Sequence, residues 1–466
     1  MLSLWNPRRR WGRREFLRVG GLALGAGLGV PGLGSLTASR ALASAAGLPI
    51  TGKSVVFLFM HGGPSQVETF DPKMSAPAEV RSATGELATS IPGVTFGGSF
   101  PRLAALAHRL AVVRSFVPGD ANHDIKPIVG RDTYGANLGS LYARVAGANH
   151  PFTGMPTNAA LFPQAVDPST QPAQMAFGRF DATGSLGSGV APFIPGAGGH
   201  LQQDMELRIP VERLEERRSL LAELDRVRFE FDAPGKLEGL DELRRQALHT
   251  ILSGVAGAFD LGQEDEATVA RYDTAPLVRP DQISRRWNNY NNYVDNAKTL
   301  GKLLLLARRL CEAGCGFVTV TTNFVWDMHA DQNNAGMAEG MAYMGPPFDH
   351  AVSAFLEDVE ARGLSERILL VCCGEIGRTP RINAAGGRDH WGNLGPLLLA
   401  GGGWQMGQVI GQSTRDAGDV HADPVYIKNL VATVLHTLFD VGQLRLVRGV
   451  PEEVLRAASE EVIPGL

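Results

Sequence analysis

Residues 367–391 read RILLVCCGEIGRTPRINAAGGRDHW, and this stretch decides which fold the chain is expected to adopt. It begins with six apolar residues, Ile368 to Cys373, which stand between an arginine and a glycine. So short an apolar run, stopped by glycine, favours a buried strand over a buried helix. Because the run is apolar on both faces, it predicts a parallel sheet that is covered by helices on each side.

Four polar residues follow this strand closely: Glu375, Arg378, Asp389 and His390. In open α/β sheets, ligands bind beyond the carboxyl ends of the strands. A carboxylate, a fixed cation and an Asp–His pair on one loop are suited to binding a metal ion and an anion. The alternative interpretation is a surface loop that carries a solvated Arg–Glu pair.

The chain of 466 residues is 44 % hydrophobic, so it can bury a large core. A single α/β domain is predicted over residues 50–460, with an insertion of loops and helices over residues 150–296.

The net charge of the chain is -4, which gives no excess of positive charge, so nucleic acid is not expected as a partner. The four cysteines form no C-x-x-C pair, which argues against a zinc knuckle but leaves one disulfide open.

The N-terminus carries the pattern of an export signal. Arg13 and Arg14 are followed by an uncharged run over residues 19–39 and by Ala-Leu-Ala at residues 41–43. This pattern predicts a twin-arginine signal peptide over residues 1–45, with the twin-arginine translocase as a partner and a periplasmic or extracellular location. The alternative is an uncleaved membrane anchor. The glycines of the run make it a poor membrane helix, so no stable transmembrane span is expected.

Short apolar runs and amphipathic stretches alternate along the chain. The predicted strands are KSVVFLFM (53–60), AVVRSF (111–116), FVTVTT (317–322), the opening stretch, and PLLLAGGG (396–403). The predicted helices lie near residues 102–110, within 207–259, and at 298–312, 349–362 and 426–439.

Residues 120–124 read DANHD and precede a further predicted helix. Asn122 and His123 could cap this helix, bind an anion or mark a nucleophile position. Capping is the simplest of these interpretations.

Carboxylate and imidazole groups follow three predicted strands. These groups are His61 after the first, Asp327 with His329 after the FVTVTT strand, and Glu375 with Asp389 and His390 after the opening stretch. Asp-x-His on an extended segment places both side chains on one face. Such donors favour a divalent ion such as Zn, Mn, Ca or Fe, which indicates a metal-assisted hydrolase. His61 alone is equally well a structural residue. Arg378 and Arg388 could hold an oxyanion, or could pair with Glu375 or Asp389.

The motifs HGGPSQVETFDPK, WDMHADQNN, GEIGRTPRIN, GRDHWG and LLLAGGGW, behind the twin-arginine pattern, resemble the sulfatase-like domain of unknown function number 1501. This family belongs to the alkaline phosphatase superfamily, and the resemblance spans roughly residues 50–445. It implies an alkaline-phosphatase-like α/β fold, a mixed and mostly parallel sheet sandwiched between helices, with metals at the carboxyl edge of the strands. It does not imply a known reaction.

The resemblance also suggests roles for single residues. His61 stands where the superfamily has its first-strand metal carboxylate, Asp327 and His329 resemble its Asp-and-His pair, and His390 resembles its late metal-binding histidine. Glu375 takes the place of an acid that is normally followed by His or Asn, whereas this chain has Ile376.

This chain departs from the sulfatases at the nucleophile. It has no C-x-P-x-R or S-x-P-x-R motif, from which formylglycine would be made. The nucleophile position near His123 carries no Ser, Thr or Cys, and Ser65 is the hydroxyl on a neighbouring loop. The predicted catalytic residues are therefore Ser65, His123 and Arg378.

The sequence as a whole predicts an exported, metal-dependent hydrolase of phosphate or sulfate esters that works without formylglycine. Its substrate is expected to be a small-molecule or polysaccharide ester. The alternative is a non-catalytic envelope protein that binds anionic glycans.

Overall fold

The computed structural model describes residues 48–196 and 255–466, together with Arg213. The predicted signal peptide and most of the helical stretch predicted within 207–259 lie outside the described residues. No helix in the described part of the chain combines the length and the apolar character needed to cross a membrane.

The strands of the described part are numbered in chain order. They are β1 (Ser54–Phe59), β2 (Glu86–Ala88), β3 (Thr95–Gly97), β4 (Ala111–Val117), β5 (Asn158–Leu161), β6 (Phe317–Val320), β7 (Ile368–Cys373), β8 (Gly377–Arg378), β9 (His390–Trp391), β10 (Gly395–Gly401), β11 (Gln408–Ile410), β12 (Gln412–Ser413), β13 (Val420–Ala422) and β14 (Val425–Tyr426).

The α-helices of the same residues are numbered likewise. They are α1 (Pro101–Ala105), α2 (Leu138–Ala146), α3 (Ala256–Phe259), α4 (Glu266–Arg271), α5 (Tyr290–Glu312), α6 (Met337–Ala361), α7 (Ile427–Leu438), α8 (Val441–Leu444) and α9 (Glu452–Ser459).

Eight strands form one central sheet in the order β11-β4-β10-β7-β1-β6-β5, with β14 also paired to β4. Strand β10 runs antiparallel to both of its neighbours, and every other pairing in this sheet is parallel. At the centre, Phe57 of β1 lies opposite Thr319 of β6 on one side and Val371 of β7 on the other. The predicted mixed, mostly parallel sheet is confirmed.

The two faces of the sheet are covered by different helices. Val56 and Leu58 of β1 belong to a hydrophobic cluster that contains the apolar stripes of α5 and α6. Val55, Phe57 and Phe59, which alternate with them, belong to a second cluster built with α2, α7 and α9. Since successive strand side chains point to opposite faces, this division explains why the strand is apolar throughout. The predicted sandwich between helices is confirmed.

Several predicted elements differ from the observed ones. Helix α5 begins at Tyr290 rather than near residue 298, and α6 begins at Met337 and continues through Pro346 and Pro347, which concealed its first half in the sequence. The helix predicted directly after residues 120–124 is wrong, because the first α-helix described beyond them is α2, which begins at Leu138. Strand β5 belongs to the central sheet although it falls inside the stretch predicted as an insertion.

The four cysteines are buried as free thiols, so the disulfide that the sequence left open is not formed.

The direction of the strands brings distant parts of the chain to one edge. Strands β1, β6 and β7 are parallel, so the loops that follow them leave from the same edge. Strand β4 is parallel to these because both β4 and β7 run antiparallel to β10. Because β10 runs in the opposite direction, it begins at the edge where β4 and β7 end, close to the loop that contains His390. The edge is therefore where the predicted site residues can meet.

Candidate metal and active site

Three donor side chains converge at this edge of the sheet. The Nε2 atoms of His123 and His390 lie 2.9 Å apart. Oδ1 of Asp327 lies 3.3 Å from Nε2 of His123 and 3.2 Å from Nε2 of His390. The ligand atoms of these three residues are close enough together to hold one metal ion. We call His123, Asp327 and His390 the donor triad.

Each member of the donor triad comes from a different segment. His123 lies in the loop after β4, Asp327 in the loop after β6, and His390 at the start of the short strand β9. The Asp-x-His segment is not extended as predicted; its backbone bends so that the amide of His329 donates to the carbonyl of Asp327 at 3.1 Å. The two side chains nevertheless meet, because the bend leaves them on the same side.

Glu375 determines which nitrogen of His123 carries the proton. Nδ1 of His123 lies 2.7 Å from Oε1 of Glu375, and the same carboxylate accepts the backbone N–H of Gly62 at 3.0 Å. A carboxylate only accepts hydrogen bonds, so Nδ1 is assigned the hydrogen. In the neutral ring, the lone pair of Nε2 then faces Asp327 and His390. Nε2 can accept a hydrogen bond from a protonated Nε2 of His390, or it can bind a cation that lies between the three donors.

Asp327 is held ionised by the groups around it. Oδ1 accepts a hydrogen bond from Nη2 of Arg378 at 2.7 Å, and Oδ2 accepts from Nε2 of His329 at 2.9 Å and from Nδ2 of Asn334 at 3.0 Å. Burial alone would raise the pKa of Asp327. The hydrogen bonds from the histidines and the charge of Arg378 outweigh burial, so the pKa lies far below its ordinary value.

The imidazoles respond to the same carboxylates. Burial lowers the pKa of His123, but its hydrogen bonds to Asp327 and Glu375 raise it by more. The hydrogen bond to Asp327 also raises the pKa of His329. Without a cation the ring of His123 therefore favours its protonated form, and a metal ion would compete with that proton for the lone pair of Nε2.

Arg378 does not have the predicted anion-binding role. Its side chain is fully buried and donates to backbone carbonyls as well as to Asp327. Nε donates to the carbonyl of Gly63 at 2.7 Å, Nη2 also donates to the carbonyl of Gly62, and Nη1 donates to that of Arg388 at 3.3 Å. With its donors engaged inside the protein, Arg378 positions Asp327 and does not face a substrate.

Arg388 is likewise structural. It is fully buried, its Nη2 lies 2.9 Å from Oε1 of Glu68, and the same nitrogen donates to the carbonyl of Val80 at 2.9 Å. Neither the predicted oxyanion role nor the predicted pairing with Glu375 or Asp389 is observed.

His61 lies beside the donor triad but outside it. It is 1 % exposed, and among the described residues neither ring nitrogen has a hydrogen-bond partner. The ring is enclosed by four aromatic side chains, Phe59, Phe177, Phe180 and Phe324. Burial lowers its pKa to about 4, against the opposing effect of Glu375. A buried imidazole with no partner is unusual, and its role as a ligand remains a prediction.

The structure divides the other predicted site residues into two groups. Glu375 accepts a hydrogen bond from Nδ1 of His123, and Nε2 of His329 donates to Oδ2 of Asp327, so both residues support the donor triad. Asp389 is exposed and accepts from Nδ2 of Asn383 at 2.9 Å. Ser65 is buried, and its hydroxyl accepts the N–H of Glu68 at 3.3 Å. No hydrogen bond or ion pair in the described residues links Asp389 or Ser65 to the triad.

The sequence reasoning missed Asn334 and the Gly62 amide, which bind Asp327 and Glu375. Asn334 stands in the motif WDMHADQNN, seven residues after Asp327. A polar residue so close in sequence to the predicted ligands could have indicated a site residue. The role of Gly62 follows from close packing: a Cβ at this glycine would lie 2.6 Å from the backbone nitrogen of Asp327.

The donor triad fits a divalent metal ion. Two imidazole nitrogens and one carboxylate oxygen are typical ligands of Zn²⁺ and of related divalent ions. Bonds of about 2.0–2.1 Å in a tetrahedral arrangement separate ligand atoms by roughly 3.3 Å, and the three separations here are 2.9, 3.2 and 3.3 Å. The carboxylate behind His123 is the usual outer partner of a metal-binding histidine.

Solved structures with partial similarity to this chain include three enzymes. The PsFucS1 sulfatase from Pseudoalteromonas sp. is 10 % identical with a TM-score of 0.38, covering 86 % of this chain and 70 % of that one. The lipoteichoic acid synthase LtaP from Listeria monocytogenes is 7 % identical with a TM-score of 0.31, covering 90 % and 81 %. The phosphonate monoester hydrolase of Agrobacterium radiobacter is 12 % identical with a TM-score of 0.28, covering 82 % and 73 %. At these scores, no activity is transferred to this chain.

A search of curated proteins found no match. A family model matches residues 52–447, which is most of the chain, and carries the description "Protein of unknown function (DUF1501)". The match covers every residue of the donor triad and the four residues that orient it, His329, Asn334, Glu375 and Arg378. The chain therefore belongs to the DUF1501 family.

Proposed function

We propose that this protein is a metal-dependent hydrolase of phosphate or sulfate esters. The observation that carries the proposal is the donor triad, in which two imidazole nitrogens and an ionised carboxylate oxygen approach one another within 3.3 Å. Three protein ligands with an open direction are the usual design of a catalytic metal site, whereas structural sites are closed by four. The side chain of His390 is 35 % exposed, so the triad is open to solvent on that side.

The chain's own residues prepare this site. Arg378, His329 and Asn334 fix the carboxylate of Asp327, and Glu375 orients His123, so the donors are placed before any ligand arrives. A bound divalent ion would polarise an ester oxygen and lower the pKa of a water molecule. The exposed side of His390 is where an ester would approach.

Water is the proposed nucleophile. Among the described residues no serine, threonine or cysteine side chain hydrogen-bonds to the donor triad or to Glu375. The hydroxyl of Ser65 is buried and caps the following turn. The four cysteines are buried, and burial raises the pKa of Cys372 and Cys373, so neither thiol is activated. These observations support hydrolysis without formylglycine.

We also propose that the substrate is a small-molecule or polysaccharide ester and that the protein is exported through the twin-arginine translocase. The export proposal rests on the sequence around Arg13 and Arg14. It is tested by following the location of the full chain and of a double R13K/R14K variant. Retention of the variant in the cytoplasm supports the proposal, and unchanged export of the variant contradicts it.

The activity is tested with purified protein that has been stripped of metal and then supplied with Zn, Mn, Ca or Fe. We expect hydrolysis of aryl phosphate or aryl sulfate esters that a chelator abolishes and added metal restores. Asp327→Asn should abolish it, and Asp389→Asn, which alters an exposed carboxylate outside the triad, should not. Hydrolysis that persists without metal contradicts the proposal. Absence of hydrolysis, together with chelator-resistant binding of anionic glycans, would replace it with the binding-protein interpretation.

A further inference from the structure

Two phenylalanines form a stacked pair at the donor triad. The rings of Phe177 and Phe324 lie 4.5 Å apart with 25° between their planes. Phe324 lies 4.8 Å from the ring of His123, and Phe177 lies 5.5 Å from it, measured between centroids. Both also contact His61. We call Phe177 and Phe324 the aromatic wall.

The aromatic wall lies outside the hydrophobic clusters of the sheet. Neither ring belongs to the clusters that pack on the two faces of the sheet in the described part of the chain. Phe324 is buried and Phe177 is half-buried, so the pair keeps part of the Phe177 side chain open to solvent. Apolar area next to a polar site, and unused by the core, is what a ligand-binding surface provides.

A buried amide holds the aromatic wall together. Phe177 lies in the connection after β5, whereas Phe324 follows β6. Between them, Oδ1 of Asn323 accepts the N–H of Gln174 at 3.1 Å, and Nδ2 of Asn323 donates to the carbonyl of Pro172 at 3.3 Å. Asn323 is 1 % exposed and has a φ of 63°, a left-handed conformation that asparagine tolerates better than most residues. This amide ties the loop that carries Phe177 to the segment that carries Asp327.

The other sides of the donor triad are polar. His329 borders it with a partly exposed side chain, His390 of the triad is itself partly exposed, and Asn334 and Arg378 lie behind Asp327. A ligand at the triad would therefore meet hydrogen-bonding groups on one side and an apolar ring on the other. This asymmetry can orient an ester, because its charged group and its organic group need different surroundings.

We propose that the aromatic wall is the subsite for the alcohol part of the ester and selects substrates in which a ring adjoins the ester oxygen. The shared chemistry is an apolar ring face that packs on an aromatic side chain, which either the C–H face of a sugar or an aromatic group supplies. Phe177 is then the specificity-determining residue. The proposal rests on the proposed function, since it assigns one part of the ester that the protein would cleave.

The test measures binding of ligands that cannot be hydrolysed, so it does not depend on turnover. Calorimetry compares phenylphosphonate, a C-glycosyl methylphosphonate and methylphosphonate on the metal-supplied protein. The variants are Phe177→Ala, Phe177→Leu and Phe177→Tyr. Phe152→Ala is the matched control, because Phe152 also follows α2 but is 62 % exposed and does not contact the triad. Thermal unfolding checks that each variant is folded.

We expect the wild type to bind ring-bearing phosphonates about tenfold more tightly than methylphosphonate, which corresponds to about 1.4 kcal/mol. Phe177→Ala and Phe177→Leu should lose this preference, and Phe177→Tyr and Phe152→Ala should keep it. Loss for phenylphosphonate alone assigns an aromatic substrate, loss for the glycosyl ligand alone assigns a sugar ring, and equal loss for both shows that the wall accepts either ring.

Two results overturn the proposal: no preference for ring-bearing ligands in the wild type, or equal loss of affinity for all three ligands in Phe177→Ala. The second would give the wall a purely structural role. Neither result affects metal-dependent hydrolysis, which tests the proposed function separately. Conversely, a ring preference in a protein that hydrolyses no ester would overturn the proposed function and leave the subsite intact.

Discussion

Nδ1 of His123 lies 2.7 Å from Oε1 of Glu375, and that carboxylate is fully buried. The contact orients the imidazole and increases the electron density at Nε2, which is the atom that faces Asp327. Glu375 was predicted from the sequence as a metal ligand, whereas the structure places it one step away, behind His123 of the donor triad. The two roles make different predictions for the same substitution.

Glu375→Gln should weaken metal binding without abolishing it. The amide oxygen of glutamine can still accept the hydrogen bond from Nδ1 of His123, but the negative charge is lost. Loss of such an outer partner typically lowers metal affinity about 10–100-fold. Competition with a chelator of known affinity measures the effect, and Asp389→Asn serves as the control. Unchanged affinity would show that the contact does not support His123.

Arg378→Met should destabilise the fold. Arg378 and Asp327 form a buried ion pair at 2.7 Å, and removing the arginine takes the permanent positive charge away from a buried carboxylate. Breaking such a pair typically costs about 3–5 kcal/mol. Arg381→Met is the matched control, because Arg381 is exposed and lies only three residues away. Urea unfolding of the metal-free proteins measures both changes. Equal stability of the two variants would contradict the assigned role.

Gly62→Ala should be more harmful than Gly119→Ala. Both glycines have a positive φ, 111° and 105°, so alanine is strained at either position. A Cβ at Gly62 would lie 2.6 Å from the backbone nitrogen of Asp327, whereas a Cβ at Gly119 has no described atom within 4 Å. We therefore expect Gly62→Ala alone to lower metal affinity, with a larger drop in melting temperature. Similar effects from both variants would show that strain at φ, and not contact with Asp327, is decisive.

His61 should make the metal-free protein less stable in mild acid. Its pKa is lowered from 6.5 to about 4 in the folded state, so the unfolded state takes up the proton first as the pH falls. The stability contributed by the neutral ring is complete above pH 6.5 and is lost between pH 6.5 and 4, by about 3 kcal/mol in total. His61→Phe lacks this group. The free energy of unfolding of wild type minus variant should fall over that range, and a constant difference would contradict the burial of a neutral imidazole.

The sheet could be predicted from the sequence because each buried strand appears as a short, continuous apolar run. The apolar runs at β1, β6, β7 and β10 are short and stopped by polar or glycine residues, and each is a strand. The beginnings of α5 and α6 were missed, since polar residues and two prolines interrupt the apolar pattern where tertiary packing completes the helix. The reversed direction of β10 could not be seen in its own composition.

The candidate site was predicted in part. Asp327 and His390 were predicted as ligands because they follow predicted strands, and the structure brings both into the donor triad. His123 was assigned to catalysis instead, because the stretch DANHD suggested a helix start that the structure does not have. The roles of Arg378 and Arg388 depend on which carbonyls and carboxylates surround them, for instance Gly63 and Glu68. Those contacts join segments more than 300 residues apart in the chain, so they cannot be predicted from the local sequence pattern.

The most direct test of the account is the metal content of the folded protein after it has been supplied with Zn, Mn, Ca or Fe and dialysed. The proposed function predicts about one equivalent of a divalent ion in the wild type and in Asp389→Asn. It predicts none in Asp327→Asn, His123→Ala or His390→Ala, while thermal unfolding shows that these variants are folded. A wild type that binds no metal, or triad variants that retain it fully, would contradict the central claim that His123, Asp327 and His390 form a metal site.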